Sequence, residues 1–398
     1  MKSSLLLFGL MLLSQLSWAQ PNTEVYFLEY QQSEDDFKTI SLKNLSQNEG
    51  YDNQPSWFDN DYILYGRTQN GATEIALQST VDGSVSIPYQ QTSGGEYSPQ
   101  RLGTEQDDVL AVRLDTTGYQ GLYRYDKNGS SAELIPGLRM AYFTVINPKD
   151  LVGSVLSDNR LDLVRVDLEK KTVDTLFENS GRSIHLRPNK KAVSYTLVND
   201  DGNHEIFQLD LDSGESFFIA QLPIGIQDYV WLNNDQILIG SGPRLFIYDL
   251  FVGGEWKQVA DLSDKGIDEI TRMAKNPGRE QIALVAMPVV SEAELIVQEQ
   301  LDAYNARDID AFMATYSDDI ALFNFPDQLI GQGKEPMRIQ YAGFFEGAPD
   351  LHCEIQKRIV LGNRVIDHEL VTANGQKFTA VAIYEVENGK IVKVTFIR

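Results

Sequence analysis

A unit of 41 to 45 residues, present in six copies within the first 288 residues, constrains the fold more than any other feature. Each copy places a polar turn between two apolar, strand-like runs, and further alternating strands follow. A period of about 40 to 45 residues with four short strands per unit is typical of β-propeller blades. The repeat therefore predicts an all-β propeller with six blades. Equivalent positions in the six copies are Trp57, Arg101, Val145, Leu186, Trp231 and Met273.

The sixth copy contains only two strands, and the two missing strands are found at the N-terminal end of the repeat region. Two alternating runs, residues 24–30 and 38–42, precede the first copy. We expect them to complete the last blade, because closure from both ends removes open sheet edges that promote aggregation. The propeller is thus predicted to span residues 20–288.

The best copies resemble the TolB-like, WD40-like propeller repeat. The signature of that repeat is a Pro-x-Trp-Ser-Pro-Asp-Gly-like turn before an apolar strand. The resemblance implies a rigid scaffold, and propellers host both binding surfaces and enzymes. The matching runs are Gln54-Pro55-Ser56-Trp57-Phe58-Asp59-Asn60-Asp61 and Tyr229-Val230-Trp231-Leu232-Asn233-Asn234-Asp235.

From Ser291 the sequence changes to helical periodicity and then back to alternation. Ser291 with Glu294 forms a capping-box pattern at the start of one helix, and Asp308 begins a second. Residues 333–345 predict a third helix. Four strand-like runs at 351–361, 364–373, 377–386 and 390–397 follow, separated by Asn/Gly turns typical of hairpins. An α+β domain is predicted over residues 289–398.

This region resembles the SnoaL-like/NTF2-like cone fold, in which helices cover a curved, cystatin-like sheet. The resemblance implies a pocket that is catalytic, ligand-binding or structural, and pairing of two copies through the sheet. The runs that carry it are Tyr304-Asn305-Ala306-Arg307-Asp308-Ile309-Asp310-Ala311-Phe312, Tyr316-Ser317-Asp318-Asp319, Gly362-Asn363-Arg364-Val365-Ile366-Asp367-His368-Glu369 and Glu387-Asn388-Gly389-Lys390-Ile391.

Ketosteroid isomerases of this fold use a Tyr and a protonated Asp as hydrogen-bond donors and a carboxylate as base. Matching the motifs places Gln300 at the Tyr position, Asn324 at the base and Val381 at the second donor. The resemblance thus implies that the isomerase groups are absent, since Asn324 cannot abstract a proton and Val381 cannot donate one. Together with Tyr304 and Tyr341, these residues are the candidate pocket lining.

The run Asp367-His368-Glu369 supplies the weak catalytic candidates. In a strand, Asp367 and Glu369 share one face and His368 takes the other. Carboxylates that face the interior would form a paired-acid site, whereas an inward His368 would be a candidate general base. The third interpretation is a set of polar residues at the cone mouth or at a dimer surface. Cys353, the only cysteine, is predicted to be a buried, inert thiol.

The first 19 residues resemble a secretory signal peptide, with Lys2, an apolar run and Ala19 at the cleavage region. We expect cleavage near Ala19 and a periplasmic or secreted protein. The apolar run is shorter than the ~20 residues that a membrane span needs, so no membrane insertion is expected. A net charge of -23 argues against nucleic acid as a partner.

These features favour an exported binding or scaffold protein over an enzyme. The propeller would present an interaction face to a protein, and the NTF2-like domain would supply a ligand pocket or a homodimer interface. The alternative is a SnoaL-like enzyme of isomerase or cyclase type, acting on a small hydrophobic molecule in the C-terminal pocket. No metal or cofactor motif occurs, so none is expected. A hydrolase site in the propeller channel would require converging Asp, Glu or His residues, and no such cluster is visible in the sequence.

Overall fold

The chain forms two compact units that are adjoining in sequence at Pro288 and Val289. The computed structural model describes residues 20–33, 36–104 and 107–397, so the expected signal peptide, residues 1–19, lies outside the described residues. Among these residues, no helix is both long enough and apolar enough to cross a membrane.

The first unit is built from 24 short strands. They are β1 (Glu24–Gln32), β2 (Phe37–Asn44), β3 (Asn53–Trp57), β4 (Tyr62–Gln69), β5 (Ala72–Ser79), β6 (Val85–Ser86), β7 (Gly95–Arg101), β8 (Val109–Leu114), β9 (Gln120–Tyr125), β10 (Ser131–Glu133), β11 (Met140–Asn147), β12 (Asp150–Ser157), β13 (Arg160–Asp167), β14 (Thr172–Phe177), β15 (Ser180–Leu186), β16 (Ala192–Val198), β17 (His204–Asp210), β18 (Ser216–Gln221), β19 (Val230–Trp231), β20 (Gln236–Ser241), β21 (Arg244–Asp249), β22 (Lys257–Asp261), β23 (Ile267–Lys275) and β24 (Gln281–Pro288). A 3₁₀ turn at Ser263–Lys265 precedes β23.

These strands pair into six four-stranded antiparallel sheets. Five sheets use consecutive strands: β3–β6, β7–β10, β11–β14, β15–β18 and β19–β22. The sixth has the order β2-β1-β24-β23, so strands from the two ends of the unit share one sheet. Within it, β1 pairs with β24 from Glu24 opposite Ala286 to Glu29 opposite Gln281. Both central strands carry fully buried side chains, such as Val25 and Ile282, because the first sheet packs on one face of this sheet and the fifth sheet on the other.

Each sheet contacts the next along the chain, and the sixth contacts the first. β23 packs on β19 and β20 of the fifth sheet and on β3 of the first. Side chains of the first strands make many of these contacts, which explains why the repeat keeps large or polar residues there. Hydrogen bonds between sheets are Ser56 Oγ to Pro99 O (2.5 Å), Gln100 Nε2 to Phe143 O (2.5 Å), Ser154 Oγ to Gly181 O (2.8 Å), Trp231 Nε1 to Ser194 Oγ (2.7 Å) and Trp57 Nε1 to Ala274 O (2.8 Å).

The second unit places three helices against one six-stranded sheet. The elements are α1 (Glu292–Ala306), α2 (Ile309–Ala314), β25 (Tyr316–Asn324), β26 (Gln328–Gln332), α3 (Lys334–Gly347), β27 (His352–Leu361), β28 (Arg364–Ala373), β29 (Gln376–Glu387) and β30 (Lys390–Ile397). The strand order is β26-β25-β30-β29-β28-β27. β25 runs parallel to β30, and the other pairs are antiparallel.

Side-chain caps fix the starts of the first two helices. The Ser291 hydroxyl accepts a hydrogen bond from the amide of Glu294, and the Asp308 carboxylate accepts from the amides of Asp310 and Ala311. A cap of this kind satisfies amides that have no partner inside the helix. Between the helices and the sheet lies one apolar core, in which Phe312 and other side chains are fully buried. This packing sets the distance between α1, α3 and the sheet, and with it the space available for a site.

Candidate functional site

A cavity of about 380 Å³ lies in the second unit between helices α1 and α3 and the sheet. Ligand pockets have volumes of about 300–1,000 Å³, so a small molecule fits this one. Both layers contribute side chains. The lining residues are Gln300, Leu301, Tyr304, Tyr316, Gln340, Tyr341, Phe344, Cys353, Glu369, Val371, Phe378, Ala380, Tyr384 and Phe396.

Half of the lining residues are aromatic. The rings of Tyr304 and Tyr341 meet edge to face, with 6.5 Å between their centroids, and Phe344 packs beside Tyr304. Phe378 and Phe396 contribute from the sheet. Flat apolar walls of this kind bury large areas of a ligand at little cost in side-chain entropy, because aromatic side chains have few rotatable bonds.

One carboxylate lies among these rings. Glu369 on β28 is 8% exposed, and its Oε1 accepts a hydrogen bond of 3.0 Å from the hydroxyl of Tyr384 on β29. Burial raises the pKa of Tyr384 well above its usual value, and the charge of Glu369 raises it further. Burial likewise raises the pKa of Tyr316, which Gln300 contacts by a side-chain hydrogen bond. Both phenols therefore stay protonated and are available as donors near neutral pH.

The structure separates the three weak catalytic candidates. Asp367 shares the buried side of β28 with Glu369 but does not line the cavity, because Arg358 binds both of its oxygens, at 2.8 and 2.7 Å. Arg358 also donates to Gln298 on α1 at 2.8 Å, so the pair joins β27, β28 and α1. His368 is exposed on the opposite face. Only Glu369 faces the cavity, so the run forms neither a paired-acid site nor an inward histidine.

Of the five pocket candidates, Gln300, Tyr304 and Tyr341 line the cavity, whereas Asn324 and Val381 do not. Asn324 lies at the far end of β25, at the turn to β26, with its amide nitrogen 3.5 Å from the side chain of Gln328. Val381 alternates with the buried residues on either side of it in β29 and therefore takes the other face of the sheet. The motif comparison assigns these two positions by sequence spacing and does not take into account which face of the strand each side chain occupies.

Several lining residues were not predicted, among them Tyr316, Tyr384, Phe344 and Phe378. A signal for two of them was present, since Phe378, Ala380 and Tyr384 all have even spacing in one strand and must share a face. Cys353 is 4% exposed, and burial raises the pKa of its thiol to about 12. It is therefore a protonated wall residue and not a nucleophile. The described residues contain no group of three or more His, Cys, Asp or Glu side chains that could hold a metal ion.

Comparison with known proteins found a family match within the second unit and a structural likeness that covers two thirds of the chain. The family model of the SnoaL-like domain matches residues 297–394. No curated protein matches the chain. A candidate TolB from Agrobacterium tumefaciens covers 67% of this chain and 99% of its own, with a TM-score of 0.52 and 13% identity, which is a likeness of fold alone.

Two smaller solved structures each match about a quarter of this chain. An uncharacterised cystatin-fold protein from Novosphingobium aromaticivorans is 31% identical, covering 27% of this chain and 99% of its own, with a TM-score of 0.26. An epoxide hydrolase of LEH-like type from M. tuberculosis is 19% identical, covering 28% of this chain and 84% of its own, with a TM-score of 0.25.

Proposed function

We propose that the SnoaL-like domain of this chain binds a small, largely apolar molecule that carries one hydrogen-bond donor. The observation that carries the proposal is a single buried carboxylate, Glu369, at the wall of a cavity whose other lining residues are uncharged and mainly aromatic or aliphatic. The aromatic side chains would hold the apolar body of the ligand. The carboxylate would accept a hydrogen bond from the polar end, and Tyr384 keeps it oriented. A few placed polar groups in an apolar pocket are the usual source of ligand specificity.

An enzyme is the second candidate, and the same pair of residues favours it. A carboxylate with a protonated Tyr384 at 3.0 Å could accept a proton from a bound substrate while Tyr316 donates a hydrogen bond to the developing negative charge. The reaction would be an isomerisation or cyclisation of a small hydrophobic molecule. These groups stand at positions other than Asn324 and Val381, so the chemistry would use different residues from those of the ketosteroid isomerases.

We further propose that the first unit is a closed six-bladed propeller over residues 20–288 that presents an interaction face to a partner protein. Its six four-stranded sheets, with the sixth contacting the first through Trp57 and Ala274, support closure. Residues 1–19 would be removed as a signal peptide, which leaves a periplasmic or secreted protein. Two copies would pair through the NTF2-like domain, where the edge strand β27 exposes Ile359 and Leu361. Sedimentation velocity of the full chain tests this pairing.

N-phenyl-1-naphthylamine tests the pocket, because it is a neutral aromatic amine with one N–H donor that fluoresces when it leaves water. We expect the wild-type chain to bind it. Tyr341→Ala should weaken binding by removing wall contacts, and Glu369→Gln should weaken it several-fold by removing the charged acceptor. Glu387→Gln, an exposed glutamate at the end of β29, is the matched control and should bind like wild type.

Equal binding by wild type, Tyr341→Ala and Glu369→Gln would refute the pocket proposal. For the enzyme candidate, molecules that raise the melting temperature are incubated with the protein and recovered for mass spectrometry. Conversion that Glu369→Gln abolishes would replace the binding role by catalysis, whereas recovery of unchanged ligand supports the binding role.

A further inference from the structure

A second cavity, of about 330 Å³, lies within the first unit. The strands that open the sheets converge on it: β3, β11, β15 and β23 each contribute, as does the segment just before β19. Its charged and phenolic lining residues are Tyr51, Tyr142, Arg182, Asp228, Glu269 and Arg272. These residues come from five copies of the repeat. Tyr142, Arg182, Asp228 and Glu269 stand three or four residues before the repeat position of their copies, whereas Tyr51 stands six before and Arg272 one before.

Two guanidinium groups share one carboxylate in this cavity. Asp228 contacts Arg182 through Nη2 and lies 3.8 Å from Nε of Arg272. The side chains of Asp228 and Arg272 are only 12% and 15% exposed. Burial acts to lower the pKa of Arg272, but the charge of Asp228 together with Tyr142 and Tyr51 leaves that pKa above its usual value, so the group stays charged. The trio therefore carries one net positive charge, in a chain whose net charge is -23.

One guanidinium has a buried donor that the described residues leave unused. Arg182 donates through Nη2 to the carbonyl of Thr271 at 3.2 Å, while its Nε is buried with no partner among the described residues. Arg272 stands against the ring of Tyr142, 5.3 Å from its centroid, and lines the same cavity. Buried donors are satisfied in nearly all native proteins, so the unused N–H of Arg182 points to an occupant of the cavity.

We propose that this cavity binds a carboxylate through Arg182 and Arg272, the carboxylate belonging either to a small organic acid or to the C-terminus of a peptide. A guanidinium is planar and matches the two oxygens of a carboxylate. One added negative charge would neutralise the cluster, and it would compete with Asp228 for the two guanidiniums. Glu269, exposed on the lining, disfavours polyanions, so a monocarboxylate fits better than a phosphate or a dicarboxylate.

Calorimetric titration of the full-length protein at low salt tests the site with three probes. Benzoate represents the small acid, and an N-acetylated tripeptide with a free C-terminus represents the peptide. The same tripeptide with an amidated C-terminus is the third probe. We expect binding of at least one free acid, no binding of the amide, and loss of affinity as salt screens the charges. Benzoate alone would identify a small acid, and the tripeptide alone would identify a peptide terminus.

Variants assign the site to the two arginines. Arg272→Gln should weaken binding roughly ten- to a hundredfold, as expected for loss of a charged hydrogen bond. Arg244→Gln, which removes an exposed arginine paired with Asp261 in the same unit, should bind like wild type. Asp228→Asn should bind more tightly, because it removes the competing negative charge, so the test holds even if Arg272→Gln unfolds.

Three outcomes would overturn the proposal. One is that neither acid binds the folded wild-type protein at millimolar concentrations. Another is equal binding of the free and amidated peptides, and the third is weaker binding by folded Asp228→Asn.

Discussion

The ion pair between Arg358 and Asp367 gives the sharpest test of the candidate site. Sequence reasoning placed Asp367 among the weak catalytic candidates, whereas the structure uses it to join α1, β27 and β28. Asp367 is 1% exposed, so a change to Asn leaves a buried guanidinium without its charge partner. Breaking a buried pair costs about 3–5 kcal/mol. In the variant, Arg358 still donates a hydrogen bond to Gln298 and is 14% exposed to solvent. We therefore expect a loss at the lower end of this range, about 3 kcal/mol in the free energy of unfolding of the second unit.

The two units can be followed separately in the intact chain. All four tryptophans, Trp18, Trp57, Trp231 and Trp256, precede Pro288, and the only cysteine, Cys353, lies in the second unit. Cys353 is 4% exposed, so its labelling by a thiol reagent reports opening of that unit. At about 3 kcal/mol, labelling through opening should be roughly a hundredfold faster in Asp367→Asn. The tryptophan-detected transition should not move.

The control is Glu385→Gln, which removes two partly exposed ion pairs on the neighbouring strand β29. Exposed pairs contribute about 0–1 kcal/mol each, so loss of both should accelerate labelling by at most about thirtyfold, less than in Asp367→Asn. Replacing both buried partners, in Arg358→Met with Asp367→Leu, should restore most of the stability. The reasoning fails if Asp367→Asn labels at the wild-type rate, or if that variant keeps its stability and loses ligand binding.

Two further predictions concern buried polar groups. Tyr384→Phe removes the hydroxyl that donates to Glu369 at 3.0 Å, so the second unit should lose about 1–3 kcal/mol of stability; an unchanged labelling rate of Cys353 would contradict this. In the first unit, burial and the nearby Glu96 raise the pKa of Glu74 to about 7. The folded state therefore binds a proton that the unfolded state releases, and stability should fall as the pH rises from about 4.5 through 7. Glu74→Gln should flatten this fall in urea titrations followed by tryptophan fluorescence, and a wild-type slope in the variant would show that another group is responsible.

The repeat and the helix signals could be interpreted from sequence because each rests on local rules. Ser291 and Asp308 occupy cap positions, and their side chains make the expected bonds. Strand alternation also placed Asp367 and Glu369 on one face, as observed. The short strand β26 had too few residues for a periodic signal, and it was missed.

Contacts between segments that are distant in sequence could not be predicted from local patterns. No spacing rule indicates that Arg358 neutralises Asp367, since this depends on the register of β27 against β28. The prediction that Asn324 and Val381 line the pocket is wrong for a similar reason. A shift of one residue in a strand moves a side chain to the opposite face. The arginines of the first unit meet Asp228 only after several sheets have assembled, which is why no cluster was visible there.

The pairing of β1 with β24 sets an order of events during synthesis. Glu29 and Gln281 are 252 residues apart in sequence yet lie opposite each other in the sixth sheet. The first hairpin to emerge therefore waits, with one edge unpaired, until the whole of the first unit has been made, and pairing over so long a separation is intrinsically slow. In that interval β1 offers its apolar side chains and open edge to any chaperone or aggregating neighbour. Covalent joining of the two ends, by relocating β1 and β2 to follow residue 288 in a permuted chain, should therefore speed the completion of folding and leave the final sheet unchanged.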